Sequence, residues 1–331
     1  MKETWDRFRF QSRVLMTLTK RHILVFSKNW TTVLFTMMVP VVILAVYILF
    51  LRNMMIESIT GTMADVFNKL DLDSQQKIYA LADSWMISGV LAVSCITVSL
   101  NTNYIMVRDK ERGANKDFIS SPISSRMVMY SYFIFNTLVS FLINFLVLCA
   151  CMIYLAAYGA FMIDFVDFLA LVGIILLSTM NAALLTFFVC TFINTESTLS
   201  SIVAIASAAV GFVIGAYFPA SSMPSGIRYV MGFFPGTYSA SLFRAYLMGG
   251  PMDMAAQMLT EILGPGNSII ENLQTSLSFD MTFFQWEVPL NIQAGVLAIF
   301  TAIFAVINLL FTYRNFMKLP KLKKKKKSLK A

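Results

Sequence analysis

The fold of this chain is decided by stretches such as VLFTMMVPVVILAVYILFL, Val33–Leu51, which carries no charged side chain. A transmembrane helix needs roughly 20 consecutive, predominantly apolar residues to cross a bilayer. Five further stretches are apolar and almost free of charge, with Asp167 as their one charged residue. They are Trp85–Met106, Met127–Tyr154, Phe165–Phe192, Leu199–Phe218 and Leu290–Phe311. Because a charge at the bilayer centre costs about 2.5 to 3.5 kcal/mol on insertion scales, these stretches predict an all-α integral membrane protein with six transmembrane helices.

The composition agrees with this prediction. Hydrophobic residues make up 57% of the 331 residues and charged residues only 13%, whereas soluble domains carry roughly 25% charged residues. We therefore expect one helical bundle, in residues 31–313, instead of two soluble domains.

The distribution of basic residues predicts the orientation. Three segments are basic, namely the N-terminal region, the connection Arg108–Arg126, and the tail from Arg314 onward. Basic loops stay in the cytoplasm, so both termini are expected there, in a multi-pass protein of the cell membrane. The net charge of +8 thus indicates topology and not a nucleic-acid partner. The run Lys323–Lys327, in the tail 314–331, suits either anionic lipid headgroups or a solvated tail.

Residues 1–30 predict an amphipathic helix in the membrane interface. Apolar side chains cluster on one side of a helical wheel, and charged ones occupy the other. The apolar side comprises Trp5, Phe8, Leu15, Leu18, Val25 and Phe26, and the charged side Asp6, Arg9, Arg13, Lys20 and Lys28. His22, the only histidine, is expected to pack at the interface.

Small residues recur at intervals of four in the fifth stretch, which indicates a close helix–helix contact. They form two lines, one through Ala204 and Ala208 and one through Gly211 and Gly215, which together make the predicted packing face. Packing within one bundle and packing between two subunits explain the pattern equally well.

The sequence lacks the residue patterns that several kinds of functional site require. The four cysteines, Cys95, Cys149, Cys151 and Cys190, all lie in predicted spans and offer no metal-ligand spacing. No Gly-x-x-x-x-Gly-Lys-Ser/Thr phosphate loop occurs, so ATP would have to be hydrolysed by another subunit. The spacing of the acidic residues matches no known arrangement for acid–base catalysis, which disfavours a membrane-embedded enzyme. A membrane anchor or sensor subunit that does not transport remains a further alternative.

The connection between the second and third spans, residues 108–125, combines closely spaced charges with two apolar residues. Its charges suit a short exposed helix that ends near Pro122. Phe118 and Ile119 are apolar in this polar segment, so we expect them to insert into something. A solvated loop is the alternative.

This connection, with Glu111-Arg112-Gly113, Asp117-Phe118 and Ser121-Pro122-Ile123, resembles the coupling helix of type-2 ATP-binding cassette (ABC-2) exporter permeases. The resemblance extends over nearly the whole chain. It implies that the coupling residues contact a nucleotide-binding subunit. Those residues are Arg108, Glu111, Arg112, Asp117, Phe118 and Pro122.

The outer segments, residues 52–84 and 219–289, fit the same family. The resemblance implies that the second one forms short re-entrant helices near a motif of proline, an aromatic or polar residue, and arginine. Pro235, Tyr238 and Arg244 match that motif. An ordinary turn at Pro235-Gly236 is the alternative.

The resemblance also implies an assembly and an activity. Two permease copies would pair with two ATPase subunits. ATP and Mg²⁺ would bind to the ATPase subunits and not to this chain, and no nucleic acid would take part. The transported molecule would be hydrophobic or amphipathic, such as a drug, a peptide antibiotic or a lipid-linked molecule. A polysaccharide or glycolipid exporter of the same family is the alternative.

Overall fold

A computed structural model describes residues 2–63, 67, 70–120, 123–264, 268–279, 281–283 and 286–312, and these form an almost entirely helical fold. The first helices are α1 Lys2–Lys28, α2 Trp30–Val46, α3 Arg52–Thr62 and α4 Leu72–Thr102. A π-helical turn, Tyr47–Leu51, joins α2 to α3. Then follow α5 Tyr104–Glu111, α6 Ala114–Ser120, α7 Ser125–Ala157, α8 Phe165–Thr191 and α9 Glu196–Val213. The last helices are α10 Ser225–Met231, α11 Pro235–Leu263, α12 Ile269–Ser276 and α13 Leu290–Ile307.

Short segments complete the described part, among them a π-helical turn, Asn308–Thr312, directly after α13. Strands β1, Thr282–Phe283, and β2, Trp286–Glu287, pair antiparallel just before α13. A 3₁₀ turn, Ala220–Ser222, lies between α9 and α10.

Six helices of the described residues are long and apolar enough to cross a membrane, which confirms the predicted number. They are Trp30–Gly61, Ser74–Glu111, Ser125–Ala157, Phe165–Thr191, Glu196–Val213 and Leu290–Phe311. The first and second extend beyond the predicted stretches, because α3 and the beginning of α4 continue them as helix. Much of the predicted outer segment 52–84 therefore prolongs two spans.

The second span forms the centre of the bundle. It packs against α2, α7, α8, α9 and α11, and 94% of its apolar window is buried inside the chain. The first, fifth and sixth spans are mostly exposed in a single chain, with 17%, 11% and 11% buried. Those three helices thus keep faces free for lipid or for another protein.

The two ends of the bundle differ in what covers them. One end, here called the coupling end, carries the C-terminal half of α1 together with α5 and α6. At the opposite end, here called the cap end, Arg52 forms a two-pronged ion pair with Asp83, with N–O distances of 2.7 and 3.1 Å. The hydroxyl of Tyr154 donates to the same carboxylate at 3.3 Å. This cluster joins α3, α4 and α7 where the apolar part of the bundle ends.

The fifth span ends before the predicted residue Phe218, because the chain turns at Gly215. This glycine has φ +68°, a conformation that favours a residue without a Cβ. The next residue, Ala216, lies so close to Gly89 of α4 that a Cβ there would approach the Ala216 carbonyl oxygen to 2.7 Å. The two glycines let the chain reverse against the central helix.

Helices α10 and α11 re-enter the apolar part of the bundle from the cap end. A Cβ on Gly236, in the first turn of α11, would lie 2.9 Å from Ile96 of α4. Ile96 follows Asp83 by 13 positions, or ~20 Å of helix at about 1.5 Å per residue. Helix α11 therefore starts deep among the spans and runs back to the cap end.

Candidate functional site

The coupling end is organised around the buried carboxylate of Asp109 in α5. Arg21 of α1 donates to Asp109 Oδ2 at 2.5 Å, and the hydroxyl of Tyr132 in α7 donates to the same oxygen at 2.6 Å. The Asp109 side chain is 5% exposed and that of Arg21 36% exposed. Charge-assisted bonds of this kind are stronger than neutral ones. Three helices are thereby joined at one carboxylate.

His22 extends this contact between α1 and α7. Its ring stacks on Tyr132 with 4.0 Å between centroids, and Nε2 lies 3.0 Å from Ser131 Oγ. Burial, together with the positive charge of the adjacent Arg21, lowers the pKa of His22 to about 3. The imidazole is therefore neutral at physiological pH. Leu18 and Phe26, which were predicted on the apolar face of this helix, are also buried.

Lys110, the next residue of α5, fastens the end of α8. Its Nζ donates to the carbonyl oxygens of Cys190, Thr191 and Ile193 at 3.3, 2.7 and 2.8 Å. The last carbonyls of a helix have no partner within the helix and attract a cation. Lys110 supplies that cation and is 7% exposed.

Glu111 and Arg112 contact the start of α9, the fifth span. Glu111 Oε2 accepts a hydrogen bond from the backbone N–H of Glu196 at 2.7 Å. Arg112 lies 3.7 Å from the Glu196 carboxylate, which also accepts from the Tyr104 hydroxyl at 2.5 Å. Both residues were expected to contact a partner subunit, and in the single chain each has a contact inside it.

The other expected coupling residues lie on or near α6. Asp117 is exposed, whereas Phe118 is half-buried and lies under the guanidinium of Arg21, 5.4 Å from its ring centroid. Arg108 lies over the Tyr104 ring at 5.7 Å. Pro122 is outside the described residues. The structure thus collects five of the six predicted residues at one end of the bundle.

Sequence reasoning missed the residues that fasten this end, namely Arg21, Asp109, Lys110, Tyr132 and Glu196. Their partners are 80 or more residues away along the chain in most cases. The one available signal was Asp109-Lys110 at the end of an apolar stretch, where charged residues must either be paired or lie in water.

The predicted motif at the cap end is brought together by the start of α11. Pro235 occupies the first turn of that helix, where a missing N–H costs nothing. The Tyr238 hydroxyl donates to the Gly232 carbonyl at 3.0 Å, and Arg244 donates to the Gly215 carbonyl. The Arg244 guanidinium also lies 5.1 Å from the centroid of Trp85. The motif holds the re-entrant helix against the turn after the fifth span.

The predicted packing face of the fifth span divides into two pairs, and Gly215 lies just after the end of α9. Gly211 is covered by the ring of Tyr217, and Gly215 by Met231, both within the chain. Ala204 and Ala208 are exposed. Beside Ala204 a groove of about 520 Å³ runs between α2 and α9. The exposed pair lies on a helix that is scarcely covered by its own chain.

Comparison with known proteins identifies the family. None of the curated proteins compared with the chain matches it. The family model described as "ABC-2 family transporter protein" matches residues 52–310, which include all but the beginning of the six-span bundle. Proteins of this family are membrane-spanning transport subunits that act with an ABC ATPase subunit. The chain therefore belongs to the ABC-2 family of transporter proteins and is a transmembrane permease.

Proposed function

We propose that this permease exports hydrophobic or amphipathic molecules, as two copies that work with two separate ATP-hydrolysing subunits. ATP and Mg²⁺ bind to those subunits, since the sequence of this chain contains no phosphate-loop motif. The coupling end faces the cytoplasm of the cell, and the cap end faces outward, in accord with the basic residues of the sequence.

The observation that carries the proposal is the way α5 and α6 are fastened to the spans. Asp109 connects α5 to α1 and α7, Lys110 connects it to the end of α8, and Glu111 connects it to the start of α9. Helix α6 packs in turn against α5 and α7. A push on α6 thus reaches helices on several sides of the bundle, instead of bending a loose loop. Such a rigid connection suits the transmission of movement from an ATPase to the transport path.

The exposed Asp117 provides the most direct contact point for the ATPase. Phe118 and Glu111 make contacts inside the chain, so their substitution would also disturb the permease itself. Asp117 has an exposed side chain, and no hydrogen bond or ion pair of the described part of the chain involves its carboxylate. A change at this position therefore separates docking from folding.

Two copies are expected to meet through the first and fifth spans. These spans are among the least covered in the single chain, and the groove of about 520 Å³ lies between them. A pathway formed where two bundles meet would let an amphipathic molecule pass between them. Small exposed residues such as Ala204 and Ala208 permit close helix contacts in lipid.

The test is co-expression with candidate ABC ATPase subunits, followed by pull-down and by measurement of substrate-stimulated ATP turnover. Asp117→Lys should weaken pull-down by at least about tenfold, because reversing a charge at an interface juxtaposes like charges. Asp253→Lys, an equally drastic change at an exposed position of α11, serves as the matched control.

Equal pull-down and turnover for the parent, Asp117→Lys and Asp253→Lys would contradict the coupling assignment. ATP hydrolysis by the purified permease alone, with contaminating ATPases excluded, would contradict the division of labour between the subunits.

A further inference from the structure

A cavity of about 170 Å³ opens at the cap end, between the re-entrant helices and the segment before α13. Its wall includes Ser241 and Arg244 of α11, Arg228 of α10, Ser278 after α12, and Glu287 of β2. Arg228, Ser221 and Glu287 are exposed, whereas Ser241 and Arg244 are 3% and 4% exposed. The cavity therefore runs from an open mouth to a buried polar end.

The buried end contains donors without a partner. Arg244 Nε and Ser241 Oγ have no hydrogen-bond partner among the described residues. Nη2 of Arg244 donates to the Gly215 carbonyl, and no described carboxylate forms an ion pair with this guanidinium. Buried polar groups are nearly always hydrogen-bonded, and a buried charge is usually paired. Arg244 thus has positive charge and donor capacity to offer to a ligand.

Two charged side chains at the mouth of the cavity also act on a ligand that approaches Arg244. Arg228 adds a second cation and Glu287 an anion, so the wall carries a net charge of one positive unit from Arg228, Arg244 and Glu287. An anion would be attracted toward Arg244 and Ser241, and Glu287 would oppose it from the mouth. Removal of the Glu287 charge should consequently strengthen anion binding.

Apolar surface lies next to the polar cavity. Met231 and Met281 line the wall, and Ile227, Val230, Phe233 and Phe234 are exposed on α10 and just after it. A molecule with a charged head and an apolar chain could place its head at Arg244 and its chain along this surface. A small inorganic anion would use only the polar end.

We infer that this cavity is a binding subsite for the anionic head, a phosphate or a carboxylate, of an amphipathic molecule. The inference rests on the proposed export function, because it assigns a charge to the head group of the exported molecule. Arg244 is the central ligand, Ser241 a neutral donor beside it, and Arg228 a cation at the mouth.

The experiment measures binding to the purified full chain in an uncharged detergent, by isothermal titration without ATP or ATPase. The probes are octyl phosphate, uncharged octyl glucoside and inorganic phosphate. Octyl phosphate should bind at least about tenfold more tightly than octyl glucoside, because charge-assisted hydrogen bonds are strong. Arg244→Gln should remove that preference, and Arg244→Lys should keep part of it, since a lysine lacks the fork of donors.

Two surface variants keep the test decisive if Arg244→Gln fails to fold. Arg228→Gln should weaken octyl phosphate binding by about two- to fivefold, as expected for a solvent-screened charge. Glu287→Gln should strengthen it by a similar factor. Arg13→Gln, which removes an exposed charge from α1 at the other end, should leave the affinity unchanged.

The result also distinguishes between two sources of the anion. Binding of octyl phosphate alone supports an amphipathic ligand, and equally tight binding of inorganic phosphate supports the same subsite with a free anion as its occupant. Equal affinities for octyl phosphate and octyl glucoside, or unchanged affinity in both Arg228→Gln and Glu287→Gln, would refute the subsite. Because no ATPase is present, this result is independent of the pull-down that tests the proposed function.

Discussion

Replacement of Lys110 by methionine should loosen the coupling end while leaving the apolar spans intact. The Lys110 ammonium binds three carbonyl oxygens at and just after the end of α8, at 2.7 to 3.3 Å. Methionine has a similar length and packs well in apolar surroundings, but it cannot donate to those carbonyls. The substitution thus removes the hydrogen bonds with little change in volume.

The magnitude follows from the carbonyl groups that lose their partner. A buried polar group left without a hydrogen bond costs about 1 to 3 kcal/mol. The lower value is appropriate for each carbonyl here, because the variant no longer buries a charge, which itself costs several kcal/mol. The Cys190 carbonyl keeps a hydrogen bond from the backbone N–H of Ile193 at 3.1 Å. The carbonyls of Thr191 and Ile193, at about 1 kcal/mol each, therefore correspond to a loss of roughly 2 kcal/mol.

The assay is thermal denaturation of the detergent-solubilised protein, followed by size-exclusion chromatography. Lys110→Met should lower Tm by several degrees, and Lys110→Arg should retain part of the stability because it keeps the positive charge. Lys20→Met removes an exposed lysine of α1 and should melt like the parent. If Lys110→Met also melts like the parent, Lys110 does not hold the end of α8 against α5, and the proposed rigid connection between α5 and the spans is wrong.

Three further predictions concern stability and assembly. His22 has a pKa of about 3 in the fold and about 6.5 in the unfolded chain, so the unfolded state takes up a proton first as the pH falls. The free energy of unfolding should therefore decline below pH 6.5 and be lower by about 2 kcal/mol at pH 5. Melting curves should show this loss in the parent and not in His22→Gln. Gly89→Ala should lower Tm, since its Cβ would lie 2.7 Å from a backbone carbonyl oxygen, whereas Gly249→Ala, with nothing within 4 Å of its Cβ, should leave Tm unchanged or raise it. If two copies meet through α9, a short bismaleimide should cross-link Ala208→Cys above the level of the parent. Leu169→Cys, at an exposed position on α8, should not be cross-linked above that level. Equal cross-linking of the two variants would contradict that interface.

The sequence by itself determined the six spans and the fold class. Apolar stretches such as Val33–Leu51 form membrane-crossing helices wherever they occur, because lipid offers no partner to an unpaired backbone group. This local rule explains why all six predicted stretches are helical, although the first and second spans are longer than predicted because α3 and the beginning of α4 continue them. The fifth span ends before the predicted residue Phe218, since the turn at Gly215 depends on its contact with α11.

Only the tertiary structure decided which charged residues of the coupling end bind other helices of the chain. Glu111 and Asp117 look alike in the sequence and both are exposed, yet of the two only the Glu111 carboxylate accepts a hydrogen bond from the start of α9. The same is true of the cavity, where Arg244 matched a family motif but its unpaired donor became visible only when α10, α11 and α12 were brought together. Local patterns determine which segments enter a membrane, whereas the pairing of buried polar groups depends on helices that meet from distant parts of the chain.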